Sequence, residues 1–226
     1  VKVIDNGDDF RMDDRVPLVI PEVNAAAIKD HQGFIANPNC STIIGLMALA
    51  PLHRAAGIRR FVVSTYQAVS GTGRSAIAEL EQQVRDYVAG KELAVATYPH
   101  QIAFNVLPQI GSLKPSMPGY TSEEAKMLFE TRKILGTESI RVSATCVRVP
   151  VFHGHAEAVH IETARKITQR ACEQTRGMGG RLLGVVVNDR SGAVSADSVC
   201  ISSGEMVSRS QPASSVICPG LRKLAP

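Results

Sequence analysis

Apolar positions recur with two different periods along this chain. Between Ser70 and Gly90, the residues Ile77, Leu80, Val84, Tyr87 and Val88 return at helical spacing, and Gly90 follows as a stop. A second helix is expected from about Ser122 to Leu135. Thr121 and Glu124 have the spacing of a capping box, Lys133 lies in the last turn, and Gly136 ends it. Strand signals separate these helices. Arg60-Phe-Val-Val-Ser-Thr65 is a β run, Ile140 to Val151 alternates apolar with small polar residues, and Ala156 to Glu162 reads as its successor. Val1-Lys-Val-Ile4 is strand-like and is cut off by Asp5-Asn-Gly-Asp8, while residues 18–23 and 33–36 read as short buried strands or extended segments. Pro38 disfavours helix at Asn37, and Cys40-Ser-Thr42 then opens an apolar stretch to about Ala50, a helix ended or kinked by Pro51. Helices separating strands make the chain α/β or α+β, and no internal repeat is visible.

Composition narrows the class. The chain has 226 residues, 44% apolar and 20% charged, which excludes bulk disorder. Its longest uncharged apolar stretch, Cys40 to Leu52, is too short to cross a bilayer, and no basic-then-apolar leader points to secretion. The net charge of +4 is uneven: residues 164–226 hold nine basic and four acidic groups, so the rest is close to neutral. All ten aromatic residues precede that stretch, which is instead rich in serine. A compositional break near Ala164 follows. The basic residues of the tail are scattered and lack aromatic neighbours for base stacking, so nucleic-acid binding is not expected. The five cysteines are widely spaced with no C-x-x-C pair, which speaks against a zinc site or a disulfide framework and for reduced thiols. The chain opens on Val1 inside a strand-like run, so an N-terminal portion is expected to precede it.

Chemistry concentrates first in Asn37-Pro-Asn-Cys-Ser-Thr42. A cysteine at a helix opening meets the positive end of the macrodipole and free backbone N–H groups, which favour thiolate and could receive an oxyanion. The same position also suits a small buried hydrophobe. A nucleophilic thiol needs an acid/base partner distant in sequence. His153 and His155 flank Gly154 in a turn between two strands, where side chains can face a cleft; His31, His53, His100 and His160 lack that context. Gly71-x-Gly73-x-x-Ala76 formally matches a dinucleotide fingerprint, but it equally describes a glycine-rich strand-to-helix turn, and no clear ribose-binding acid follows.

Five ordered motifs carry a resemblance. They are Asn37-Pro-Asn-Cys-Ser-Thr42, Thr65-Tyr-Gln-Ala-Val-Ser-Gly71, Phe104-Asn-Val-Leu-Pro-Gln-Ile110, Glu123-Glu-Ala-Lys126 and Cys146-Val-Arg-Val-Pro-Val-Phe-His-Gly-His155. From Val1 to about Thr163 the chain resembles aspartate-semialdehyde dehydrogenase of the bacterial NADP-dependent type. N-acetyl-glutamyl-phosphate reductase is the nearest competitor, and Asn39 and Ser41 speak against it.

The resemblance implies a reaction and roles. β-Aspartyl phosphate would be reduced to aspartate semialdehyde with NADPH, through a thioester on Cys40, in the cytoplasmic synthesis of lysine, threonine and methionine. His155 matches the acid/base and Gln67 the residue that positions the acyl group. Arg148 matches the residue for the substrate carboxylate, which a guanidinium can hold bidentately. Glu123 and Lys126 match contacts to the amino group and phosphate, Arg11 a phosphate ligand, and Asn39 a substrate neighbour. Ser70 and Gly71 match a turn near the nicotinamide. No metal is implied, and family members are homodimers.

The same resemblance sets the expected organisation: an α+β catalytic and dimerisation domain built on a mixed sheet, beside a remnant of a Rossmann-like NADP-binding domain. Residues 1–38 would be that remnant, 39–163 the catalytic domain, and 164–226 a divergent or frame-shifted tail. With the main nucleotide-binding half absent, the chain alone is expected to bind NADP poorly and to have little activity. A catalytically silent fragment is the non-enzymatic alternative.

Overall fold

The computed structural model describes residues 2–167 and, further on, the backbone of two strands at 181–188 and 196–202. Two sheets organise it. The small one pairs β1 (Val3–Asp5) with β2 (Phe34–Ala36) in parallel. The large one is mixed, with order β4-β3-β5-β7-β6, and comprises β3 (Ile58–Gln67), β4 (Arg141–Arg148), β5 (Ala156–Thr163), β6 (Arg181–Asn188) and β7 (Ala196–Ser202). β3 and β4 run parallel, and the other pairs are antiparallel.

Helix α2 (Cys40–Ala56) and helix α4 (Ser122–Leu135) cover one face of this sheet. Along β3, Phe61, Val63, Thr65 and Gln67 are buried at alternate positions and Ile58 is buried at the strand's start, with Ala144, Cys146, Val159 and Ile161 beside them. Leu46, Leu49, Leu52 and Met127 complete that core. Pro51 does not end α2 but lies inside it, and the helix runs on to Gly57 in the left-handed conformation (φ 69°). Each buried leucine contributes ~1.5–3 kcal/mol, so the leucines on the sheet outweigh the ~3 kcal/mol that an interior proline costs. Helix α4 forms over the expected residues. Thr121 Oγ1 accepts the Glu124 amide at 3.3 Å, and Glu124 Oε2 accepts the Thr121 amide at 2.8 Å.

A second departure concerns residues 18–23. Leu18 only bridges Ala36, and Pro21–Asn24 forms one helical turn, α1, with Pro21 in its first position, where a missing N–H costs nothing. Helix α3 (Arg74–Val88) packs Ala76 and Leu80 on Val69, Ile102, Ala103 and Leu107. Its Gln83 accepts the amides of Ile102 and Ala103 and donates to Ala94 O, clipping the 94–103 segment against the helix.

The compositional break near residue 164 is not a break in the sheet, because β7 pairs with β5 and β6 with β7. The possible frame shift concerns residues that otherwise lie outside those described. No helix among the described residues is long and apolar enough to cross a membrane.

Candidate active site

Strand register gathers the chemistry. Gln67 ends β3 directly opposite Arg148, which ends the parallel β4. β5 starts at Ala156 opposite Tyr66, so His155 arrives at the same end of the sheet. The first residues of α2 and α4 sit over that end. A cleft of about 1150 Å3 results, and all ten site residues expected from the sequence line it: Arg11, Asn39, Cys40, Gln67, Ser70, Gly71, Glu123, Lys126, Arg148 and His155. His100, which sequence spacing set aside, lines it too, whereas His153 does not.

Cys40 is the first residue of α2 and is exposed to the cleft. Asn39 caps the helix, its Oδ1 accepting the amides of Ser41 (3.0 Å) and Thr42 (3.2 Å). This corrects two expectations. Those two N–H groups are engaged by Asn39 and do not form an oxyanion site. The thiol, furthermore, is pushed up rather than down, first by the protein packed around its inner side and then by the Glu123 carboxylate; the Ser41 N–H and Arg148 only partly oppose this.

Glu123 is the hub beside the thiol. Its Oε1 accepts from Asn39 Nδ2 at 2.8 Å and from Gln67 Nε2 at 3.2 Å, and its Oε2 lies 3.8 Å from Lys126 Nζ. One carboxylate therefore orients the helix cap, the Gln67 amide and a cation.

Arg148 and His155 share the peptide of Ala68. Arg148 Nη1 donates to Ala68 O at 2.7 Å, and the Ala68 amide donates to His155 Nδ1 at 3.1 Å. With Nδ1 accepting, the neutral imidazole carries its proton on Nε2. Burial, and then Arg148, hold its pKa below the ordinary histidine value. A Cβ added at Gly71 would meet Arg148 Nη1 at 3.0 Å and His155 Nε2 at 3.1 Å, so only a glycine lets the chain pack this closely against both groups. Arg148 is buried, and its Nε has no hydrogen-bond partner. A buried guanidinium in that state has donors to offer an anion.

The two cations assigned to phosphate are both occupied. Arg11 donates to Glu130 Oε1 (3.1 Å), Asn37 O (2.9 Å) and Asn6 O (3.1 Å). Lys126 Nζ lies 3.0 Å from Asp8 Oδ2. Sequence reasoning missed Glu130 and Asp8. Glu130 is fully buried, and its other oxygen accepts the Asn39 amide at 2.7 Å, joining the cap of the Cys40 helix to Arg11. The available signal was its spacing, seven residues after Glu123 on the same helical face. Among the described residues, no group of three His, Cys, Asp or Glu could hold a metal ion.

The chain is similar to known proteins in sequence and fold. The family described as "Semialdehyde dehydrogenase, dimerisation domain" matches residues 49–191, past the compositional break, and "Semialdehyde dehydrogenase, NAD binding domain" matches residues 1–31. An aspartate-semialdehyde dehydrogenase of Aquifex aeolicus is 53% identical over 192 residues, which is 84% of this chain and 55% of the relative. Another, from Shewanella violacea, is 55% identical over 163 residues, 71% of this chain and 48% of the relative. The crystal structure of aspartate semialdehyde dehydrogenase II complexed with ASA from Vibrio cholerae superposes with a TM-score of 0.78 at 43% identity, over 89% of this chain and 66% of that one. The chain thus spans about half the length of the curated relatives it matches. A mixed-sheet dimerisation domain joined to a short nucleotide-binding segment, matched over more than half its length, makes this chain a member of the semialdehyde dehydrogenase family.

Proposed function

We propose that this chain carries the acyl-transfer site of an NADP-dependent aspartate-semialdehyde dehydrogenase. The observation that carries this reading is the convergence of Cys40, Gln67, Glu123, Arg148 and His155, from four elements and one connecting turn, on a single cleft. Arg148 takes the free carboxylate of β-aspartyl phosphate, and Glu123 its amino group. Gln67 holds the acyl oxygen, and Lys126 with Arg11 takes the phosphate. Cys40 Sγ attacks the acyl carbon: the S–C bond forms, the C–O bond to phosphate breaks, and the thiol proton ends on the departing phosphate. His155 Nε2, which carries the ring proton, donates to the oxygen that becomes the hydroxyl when the thioester is reduced. Thioester formation divides a difficult reduction into two easier steps.

The cleft suits a nicotinamide at one end. Ser70 and Gly71 line the cleft together with Cys40. NADPH, when bound there, supplies the hydride. Most of its contacts belong to the nucleotide-binding domain, of which residues 1–31 match a part and residues 1–38 form the end.

The working unit is a homodimer, serving lysine, threonine and methionine synthesis. Val62, Ser64, Tyr66, Thr145 and Ala158 lie on the sheet face opposite α2 and α4, and Tyr66 keeps 44% of its surface exposed, as suits a face awaiting a second copy.

Acylation needs no nucleotide, so it tests the reading directly. The 226-residue chain incubated with β-aspartyl phosphate should gain the mass of one aspartyl group on Cys40, and Cys40→Ser should not. Absence of the adduct, or its presence on another cysteine, would refute the proposal.

A further inference from the structure

Each cation of the phosphate subsite has a carboxylate partner, but the two pairs differ in kind. Glu130 and Arg11 are both buried, with side chains 2% and 9% exposed, and Glu130 also holds the Asn39 amide. Breaking such a pair strands a buried charge. Asp8 and Lys126 are 59% and 28% exposed, and Asp8 sits in a run of bends with no regular structure. Such a pair separates at little cost, because water replaces the contact. An arriving phosphate therefore leaves the Glu130–Arg11 pair intact and contests the one between Asp8 and Lys126.

The charge count makes that contest unavoidable. Lys126 Nζ already has Asp8 Oδ2 at 3.0 Å and Glu123 Oε2 at 3.8 Å. A phosphate dianion on the same ammonium would place three anionic groups around one positive charge. Glu123 is held by Asn39 and Gln67 and stays. Asp8 has room to swing out, and the attraction of Lys126 keeps its carboxyl ionised well below neutrality.

We propose that Asp8 is a resident competitor for Lys126 that sets the affinity threshold an anion must exceed to enter the phosphate subsite. The proposal rests on reading Lys126 and Arg11 as the phosphate-binding pair. A monoanion such as acetate offers Lys126 nothing stronger than the carboxylate already there. A phosphate dianion carries more charge and reaches the remaining N–H donors of Arg11 as well, so it displaces Asp8 where weaker anions do not. Asp8 thereby raises the concentration that any anion needs to occupy Lys126, a threshold that phosphate reaches where common monoanions do not.

The test uses the 226-residue chain and needs no nucleotide. Cys40 is alkylated with iodoacetamide, its modification is read by mass spectrometry of the Cys40 peptide, and inorganic phosphate or acetate is titrated as protectant. Asp8→Asn and Asp8→Ser should lower the half-protecting phosphate concentration about fivefold, and acetate should begin to protect. Asp9→Asn removes the same charge one residue away and should change neither. Adding Lys126→Met to Asp8→Asn should abolish the gain. Equal phosphate protection of wild type and both Asp8 variants overturns the inference, as does an equal gain in Asp9→Asn. Failure of phosphate to protect any of them overturns the reading of the subsite itself, and the inference with it.

Discussion

Replacing Glu157 with methionine should stabilise this protein, and increasingly so as pH rises. Glu157 lies on β5 with 2% of its surface exposed, and neither carboxyl oxygen has a hydrogen-bond partner. It points under α2, where a Cβ on Gly45 would sit 3.0 Å from Oε2. The surrounding space is lined by Leu46, Leu49, Phe61, Val63, Met127 and Val159 and is too tight for a water molecule. Burial holds the Glu157 pKa well above the ordinary glutamate value. A buried polar group left without a partner costs about 1–3 kcal/mol, and methionine of similar length would replace it with apolar contacts. The pH dependence follows from the direction of the shift. Above about pH 4.5, the unfolded chain has released the Glu157 proton while the native state still holds it. Raising the pH therefore favours unfolding, by up to about 1.4 kcal/mol per pH unit until the native group titrates. Urea denaturation of wild type and Glu157→Met at pH 5, 6 and 7 measures both effects. The variant should be more stable by about 1–3 kcal/mol at pH 5, with a gap that widens toward pH 7. A less stable variant, or a gap independent of pH, would show that the carboxyl is satisfied in solution and that the reasoning fails.

Three further outcomes test the site. Glu123→Gln removes the anion that raises the Cys40 thiol, so iodoacetamide should modify Cys40 about threefold to tenfold faster at pH 8; slower modification contradicts the assigned cause. The His155 ring should titrate below 6.5 by NMR, and Arg148→Met should move it upward; because the native ring resists protonation, its contribution to stability fades as pH falls below 6.5. Gly71→Ala places a methyl about 3 Å from Arg148 Nη1 and His155 Nε2, so Cys40 acylation should slow about tenfold or more with little change in unfolding midpoint; unimpaired acylation would mean that those groups move aside freely.

The sequence by itself determined the local elements and the residue inventory of the site. Helix α4 was legible to the residue because its stop and start signals act within four positions: Thr121 and Glu124 cap each other, and Gly136 supplies the left-handed end. The resemblance named ten residues, nine of them in the ordered motifs, that the fold brings into one cleft. The tertiary structure decided what those residues are worth chemically. Whether Pro51 breaks α2 depends on how much leucine surface the sheet covers, and whether residues 18–23 extend or coil depends on Ala36 beside them. A helix N-terminus argues for a thiolate at Cys40, yet desolvation and Glu123, 83 residues away, reverse the sign. Arg11 meets Glu130 across 119 positions and Lys126 meets Asp8 across 118, and no local spacing encodes either pair. Charge and solvation act through space over several ångströms, so the ionisation of a site follows from which distant elements pack around it.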